Sequence, residues 1–460
     1  MEGFMKRFFI SIVIALSLWF FLSPIAWSRK PYDEDTLTMA LTGDSIITMR
    51  LSVYREPEFL NMIELIRSAD VAFTNLEMLF HDYEPYPMHK SGGTYMRAAP
   101  AMAKELAWAG FDMVSRANNH TGDYGVLGMR LTTKYTAEAG LLQAGTGESL
   151  AEAREAKFLE TAKARVALIS CASYFTEHSR AGKSRGDIPA RPGLNPLRYS
   201  TVHTVTYEEL ETLRQILERA GLQPPKSGSN LNFYDQNFVA GDKPGVRTTL
   251  NQEDLEEIAC VVRNASRLAD LTIVSIHAHE GDGDRSVPAR FLPTFSRAMI
   301  DAGADVLVGH GPHVLRGIEV YKGKPIFYSL GNFIYQNQTL LRLPYENYEL
   351  YQLGSNAHVA DFNDARYDFG RKGRPVNPEI WKSVIAVPCW SGKELTEIKL
   401  YPVSLGFGKF RTKRGRPMFA DQNLSLKIIE DLKRLSKPFG TKIDFQEGVG
   451  VIRLLSGITD

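Results

Sequence analysis

Two histidines three residues apart, His310 and His313, sit in the loop Gly309-His310-Gly311-Pro312-His313, directly after the apolar run Asp305-Val306-Leu307-Val308. A strand-length apolar run ending in a Gly/Pro loop that carries polar side chains is how a site at strand ends is built. Four other strand-like runs end the same way: in Thr42-Gly43-Asp44, in Asn75-Leu76-Glu77, in Asn118-Asn119-His120, and in His277-Ala278-His279-Glu280. A later apolar run ends in Gly331-Asn332. Asp, Glu, Asn and His are oxygen and imidazole ligands, and without thiolates they suit zinc, manganese or iron better than a sulfur-loving metal. A carboxylate can bridge two cations about 3.5–4 Å apart while imidazoles complete each shell, and such a pair activates water and holds both oxygens of a displacement. Two divalent ions are therefore the expected cofactors. Taken singly, each piece has a plainer reading: Asp44 as a turn or cap residue, Asn118 to Gly122 as a turn, His310 and His313 as a satisfied pair near a core. The combination carries the signal.

The elements that must position these residues are legible as an alternation of strand, loop and helix. Strands are expected at residues 37–42, 71–76, 113–117, 165–172, 271–276 and 304–308, and helices at 57–66, 100–109, 127–139, 251–268 and 288–302. Phe59, Met62, Ile63 and Ile66 share one helical face, and Ala-Gly pairs at 109–110, 139–140 and 302–303 mark helix ends. Repeats of this kind make an α/β sheet covered by helices, in which the carboxyl ends of strands converge on one crevice. The rhythm breaks at residues 179–250, where Gly, Pro, Ser and Asn surround one helical stretch at 207–220, and again at 336–378. Both read as loop-rich insertions, the first lying over the sheet edge or the site. A hairpin at 383–401, a helix at 424–435 and a short apolar end at 450–455 complete the chain. The expected organisation is a main domain over 36–405 and a C-terminal extension over 406–460.

Lys6-Arg7 precedes the apolar run 8–22, and Ser23-Pro24 and then Ala26-Trp27-Ser28 follow it, as in a secretory signal cleaved after Ser28. Extended to Trp27, the run also reaches the roughly 20 residues of a retained anchor. Either reading places the protein outside the cytoplasm, in the periplasm or extracellular space or held on the outer face of the membrane. Loss of residues 1–28 takes the basic count from 54 to 52 and the acidic count from 53 to 52. That balance argues against nucleic acid as a partner. The local basic stretches Arg371-Lys372-Gly373-Arg374 and 409–416 read as solvated loops or as an attraction for an anionic polymer. Three cysteines, 171, 260 and 389, are too few and too scattered for a disulfide scaffold or a cysteine zinc site and read as buried thiols. His81, His89, His178, His203 and His358 lie away from strand ends and read as surface or supporting residues.

The motifs together resemble the CapA family of poly-γ-glutamate capsule biosynthesis proteins, a branch of the calcineurin-like metallophosphoesterase fold. The resemblance rests on Thr42-Gly43-Asp44, Asn75-Leu76-Glu77, Ala117-Asn118-Asn119-His120 with Asp123-Tyr124-Gly125, the His277 cluster, and Ile300-Asp301-Ala302-Gly303-Ala304-Asp305 running into Gly309-His310-Gly311-Pro312-His313. It continues through Gly317-Ile318-Glu319-Val320-Tyr321 and Tyr328-Ser329-Leu330-Gly331-Asn332-Phe333. It implies a layered α-β-β-α sandwich, with Asp44, Glu77, Asn119, His277, His310 and His313 as metal ligands and His120 as the catalytic acid, imidazole being suited to proton transfer near neutral pH. Asn75, His279, Glu280 and Asn332 are further candidates. This chain departs from the pattern: Asp44-Ser45-Ile46 lacks the histidine of Asp-x-His, Asn75-Leu76-Glu77 replaces Gly-Asp-x-x-Asp, Gly311 replaces the second of a doubled histidine, and His277-Ala278-His279 replaces His-Trp-Gly. Whether His279 or Glu280 restores a lost ligand is left open by the sequence. Two functions follow from the resemblance: an exported metal-dependent hydrolase or transferase acting on a phosphoester or amide of a capsule or envelope polymer, or a non-catalytic polymer-binding assembly or export factor. An anionic polymer is the expected partner in both, with a membrane-bound polymer synthase as a second candidate.

Overall fold

The computed structural model describes residues 36–454. The N-terminal stretch read as a signal or anchor lies outside the described residues. Among the described residues no helix is long and apolar enough to cross a membrane.

Strand β1 (Thr36–Ile46) is buried along almost its whole length, with Thr38 and Thr42 buried beside Leu37, Met39, Ala40 and Leu41. It is followed by α1 (Pro57–Arg67), β2 (Val71–Leu76), α2 (Ala101–Ala109), β3 (Met113–Ser115), α3 (Gly125–Glu138) and β4 (Leu142–Ala144). Gly110 ends α2 in the left-handed conformation at φ 101°, a geometry that suits glycine. A second series opens with β5 (Lys157–Glu160) and β6 (Arg165–Ala172). The first irregular segment then interrupts it with β7 (Tyr199–Val205), α4 (Tyr207–Arg219), β8 (Asn230–Phe233), β9 (Gln236–Ala240) and β10 (Gly245–Leu250). The series resumes with α5 (Gln252–Ala265), β11 (Leu271–His277), α6 (Phe291–Asp301), β12 (Val306–His310), β13 (Ile318–Tyr321), β14 (Lys324–Phe327) and β15 (Asn332–Tyr335). The remainder adds α7 (Val359–Tyr367), the hairpin β16 (Lys382–Ser391) and β17 (Glu394–Ser404), α8 (Gln422–Ser436), β18 (Asp444–Gln446) and β19 (Val449–Arg453).

Among the described residues, ten strands make the larger sheet, with the central order β18-β19-β17-β16-β1-β2-β3-β4, β15 also paired to β1 and the two-residue strand Met418–Phe419 paired to β17. Six make the second, in the order β13-β14-β12-β11-β6-β5. Pairings from β1 through β4, and from β6 through β11, β12 and β14, are parallel, so the motif-bearing carboxyl ends of each sheet point one way. Alternation along the strands separates two faces. Met39, Leu41, Phe73 and Met113 meet Leu168, Ile273, Val306 and Val308 of the other sheet in one core. Ala40, Ala72 and Val114 face the opposite way, against Phe59, Met62 and Ile63 of α1 and Leu106 of α2. Ile169, Val274 and Leu307 pack under Ile258 and Val262 of α5 and Phe295 and Met299 of α6. Helix, sheet, sheet, helix is the four-layer arrangement that the resemblance implies.

The segment 179–250, expected to be loop-rich, contains a four-stranded sheet in the order β8-β9-β7-β10. It has its own small core of Leu210, Leu217 and Leu231. Its base is fixed by Arg198, whose Nε donates to buried Asp254 at 2.7 Å, and by Tyr199 stacked on Phe291 at 4.6 Å. The three cysteines form no disulfide, with Cys171 and Cys389 buried and Cys260 exposed rather than buried. His81 is also not a surface residue: it is fully buried, with Nδ1 accepting from the Tyr83 N–H at 3.1 Å.

Candidate metal centre

Strand register assembles the site. β1 pairs with β2 so that Asp44 lies opposite Asn75, and with β15 so that Asp44 also lies opposite Asn332. In the second sheet, His277 lies opposite His310. The two sheets join where the Gly311 N–H donates to Asp44 Oδ2 at 3.0 Å and Asn75 Nδ2 stands 3.3 Å from His277 Nδ1. Two groups of donor atoms result, each within 4.8 Å of one another: Asp44, His277 and His310, and Glu77, His279 and His313. They adjoin, since His313 Nδ1 is 3.5 Å from Asp44 Oδ2 and His277 Nε2 is 3.9 Å from Glu77 Oε1.

The surrounding bonds orient the rings. Ser275 Oγ is 2.7 Å from His310 Nε2, which turns His310 Nδ1 toward Asp44, 3.7 Å away. Asn332 Oδ1 holds His313 Nδ1 at 2.8 Å and leaves Nε2 toward Glu77 at 3.7 Å. Tyr174 stacks on the His279 ring at 4.4 Å. Asn118 accepts the His120 N–H at 3.1 Å and donates to Leu76 O at 2.7 Å, tying the third strand end to the second. His120 Nδ1 lies 2.7 Å from Asp123 Oδ2, and that carboxylate is itself fixed by the N–H groups of Gly92 and Met96, each at 2.8 Å. A carboxylate on Nδ1 fixes the tautomer and presents the other nitrogen. His120 Nε2 accordingly faces Glu77 at 3.8 Å.

The residues present fit cations. Both carboxylate oxygens of fully buried Glu77, and Oδ1 of Asn119, are buried without a hydrogen bond, which a native protein tolerates only where another partner is meant to be. His277 Nδ1 and His310 Nδ1 face each other at 2.9 Å, roughly the separation of two nitrogens that each sit about 2.0–2.1 Å from one ion. Burial drives the pKa values of His277, His279 and His313 down, and that of His310 down to about 4, with Asp44 opposing at His310. All four imidazoles are therefore neutral, the form that binds metal. Burial followed by the Asp44 charge raises Glu77 well above the ordinary carboxylate range. Asp44, although burial works to raise it, is held below that range, first of all by its hydrogen bond with His313. Two carboxylates pushed apart in this way want a cation between them.

Of the residues predicted from sequence, Asp44, Glu77, His277, His310 and His313 stand together in the two groups. Asn119 anchors its amide on Gly92 O at 2.9 Å and leaves its oxygen free. Asn75 and Asn332 hydrogen bond to ligand residues rather than joining the groups, Asn75 donating to Asp44 Oδ1 at 2.8 Å. His279 completes the second group, whereas Glu280 turns away to accept from Ser173 Oγ at 2.9 Å. Gly311 has φ 113°, and a Cβ there would lie 3.0 Å from the His279 ring and 3.1 Å from Ala278 N. The missing side chain at 311 thus leaves the space that His279 fills. Sequence reasoning gave no role to Asp123, although its spacing three residues after His120 in a turn was a usable signal. Tyr174 gave no signal, because its stacking on His279 depends on a contact between separate elements.

Residues 38–337 match the family described as bacterial capsule synthesis protein PGA_cap. The chain belongs to that family. The uncharacterized protein y4sH of Sinorhizobium fredii is 40% identical over 91% of this chain and 94% of its own length. The PGA biosynthesis protein CapA of Bacillus subtilis is 27% identical over 72% of each chain. A crystal structure of a novel phosphatase from Mycoplasma pneumoniae aligns at 11% identity over 82% of this chain and 90% of that one, with a TM-score of 0.34. Membership of the PGA_cap family is what the sequence motifs anticipated.

Proposed function

We propose that this PGA_cap protein is an exported, metal-dependent hydrolase or transferase acting on a phosphoester or amide of an anionic polymer of the poly-glutamate type. The two adjoining ligand groups, with the unpartnered Glu77 carboxylate between the His120 and His313 nitrogens, carry this reading. Capsule and PGA biosynthesis in the names of its Bacillus relatives supports the polymer, and the N-terminal apolar run supports export.

Asp44, His277 and His310 would hold one ion, and Glu77, His279 and His313 a second. Bound there, divalent ions supply Lewis-acid polarisation and a nucleophile at neutral pH. The chain's own residues do the rest. Asn75 and Asn332 hold Asp44 and His313 in place, and the Gly311 N–H fixes the second Asp44 oxygen. His120, its Nδ1 proton committed to Asp123, exchanges a proton at Nε2 with the leaving or attacking group.

A binding factor that uses the same cleft without turnover is the second reading, and the names of the Bacillus relatives favour it, since they speak of capsule and PGA biosynthesis rather than of hydrolysis. Elemental analysis of the chain lacking residues 1–28, followed by assays on model phosphoesters and γ-glutamyl amides beside a His310→Ala/His313→Ala variant, decides. The expected result is about two ions per chain, with turnover lost together with the ions in the variant. A wild-type protein free of metal overturns the proposal, and a loaded protein with no turnover but polymer binding that depends on both histidines establishes the second reading.

A further inference from the structure

Arg374 belongs to the basic stretch read from sequence as a solvated loop, yet its side chain is half-buried and turned toward Tyr335, a neighbour of the second ligand group. Its backbone is pinned: Gly373 takes φ 69°, the Tyr367 ring lies 3.3 Å from where a Gly373 Cβ would be, and Trp381 Nε1 donates to Arg374 O at 3.0 Å. The guanidinium carbon stands 5.7 Å from the Tyr335 ring centroid, with Nη1 donating to the Tyr335 hydroxyl. Tyr335 in turn packs on His313, ring centroids 5.5 Å apart. Arg374 is therefore one aromatic ring away from a ligand of the second group. Its field reaches that group, opposing the rise at Glu77 and helping to hold His279 and His313 down.

Three other arginines of the same two basic stretches are neutralised within the chain, whereas Arg414 donates to Gln338 Oε1 and lies over the Trp381 ring at 4.9 Å. Arg371 pairs with Asp368 at 2.8 Å, Arg411 with Asp364, and Arg416 with Glu56 at 3.0 Å. Among the described residues Arg374 has no carboxylate within ion-pair distance, and its guanidinium hydrogen bond goes to a phenol. Even half-burying a cation with no carboxylate beside it carries a desolvation cost. A planar fork of donors left open beside a cation site fits a planar oxyanion that approaches from the cleft.

We propose that Arg374 is the anchor for a carboxylate of the substrate, one of the free carboxylates along a glutamyl polymer, and so sets which bond reaches the metal centre. This assignment rests on the reading under Proposed function. It makes residues 336–378 the part of the chain that selects the substrate, and it makes Arg374 a substrate-binding residue rather than a metal ligand.

The test uses metal-loaded protein lacking residues 1–28, with a short γ-linked glutamate oligomer and inorganic phosphate as separate probes in calorimetric titrations. Arg374→Gln is expected to weaken oligomer binding about tenfold to hundredfold with metal content unchanged. Arg374→Lys, which keeps the charge but loses the fork and is the more conservative change for folding, is expected to fall between Arg374→Gln and the wild type. Unchanged oligomer affinity in both folded variants, or no oligomer binding by metal-loaded wild type, overturns the proposal. A loss confined to phosphate also overturns it, in favour of a phosphoryl ligand. A metal-free wild type instead fails the underlying reading, so the two failures are distinguishable.

Discussion

Neutral buried imidazoles recur in this chain, and they leave a signature in stability that can be read away from the metal centre. His81 is fully buried, and burial followed by the Arg97 charge pushes its pKa down to about 4, against the partial opposition of Glu84 and Asp82. Below its ordinary value of about 6.5, the unfolded chain takes up a proton that the folded state refuses until about 4. The folded pKa lies below the unfolded one, so stability is lost as pH falls across that window and the loss levels off beneath it. The size is at most about 3 kcal/mol. His81→Asn keeps an acceptor for the Tyr83 N–H and removes the titration. Urea midpoints of wild type and variant should converge or cross between pH 6.5 and 4, with the wild type falling more steeply. Parallel curves would show that His81 does not titrate as described. His310 shares the same shift, also chiefly from burial, which is why this imidazole meets a cation without proton competition at neutral pH.

At the scale of elements, the site depends on how closely β1 approaches the turn before β15. A Cβ on Gly43 would lie 1.9 Å from Gly331 O, the same carbonyl that accepts the Asp44 N–H at 3.0 Å. Gly43→Ala must therefore push apart the two segments that set Asp44 opposite Asn332. The expected cost is about 1–3 kcal/mol, read as a lower thermal midpoint, together with reduced metal content. A variant with unchanged metal content would show that the approach is not needed to place Asp44. Elements of this kind were legible: continuous apolar runs identify covered parallel strands, and each run's polar terminus identifies a strand end on the crevice. The partition of ligands into two groups was not, because it depends on the His277–His310 register and on contacts between sheets, neither of which leaves a periodic trace in one strand. The sheet at 199–250 was missed for a related reason. β7 and β10 carry Thr, Ser and Arg with hardly any fully buried position, so they lack the alternation that announces a half-buried strand. The half-burial of Arg374 was hidden because a basic stretch reads as solvated until its aromatic neighbours, Tyr335, Tyr367 and Trp381, are brought around it from separate segments.

Over the whole molecule, the part that matches the PGA_cap family is not a closed fold. The match ends at residue 337, yet β16 lies directly beside β1 in the larger sheet, and β17 and β19 extend it. Val384, Ala386, Ile398 and Leu400 of that extension face the same inner core as Met39 and Leu41. The six-stranded sheet is not the only cover for that face. Ile428, Ile429 and Leu432 of α8 are buried in the same core, and Ser436 Oγ accepts the Ile318 N–H at 2.9 Å, joining α8 to the edge of the second sheet. Burying three such side chains contributes roughly 1.5–3 kcal/mol each, a large share of a net stability of about 5–15 kcal/mol. The segment 406–460, which the sequence sets apart as an extension, should therefore be indispensable. A chain of residues 36–405 is expected to be insoluble or to melt without cooperativity, and to hold no metal, because β17 and the edge strand β13 lose α8 and the core that the two sheets share is left uncovered at that end. A chain of residues 36–454 is expected to melt as a single transition with full metal content. Soluble yield, calorimetry and elemental analysis of the two chains check this. A cooperative, metal-loaded 36–405 fragment would show instead that the metal centre needs only the matched region and the hairpin beside it.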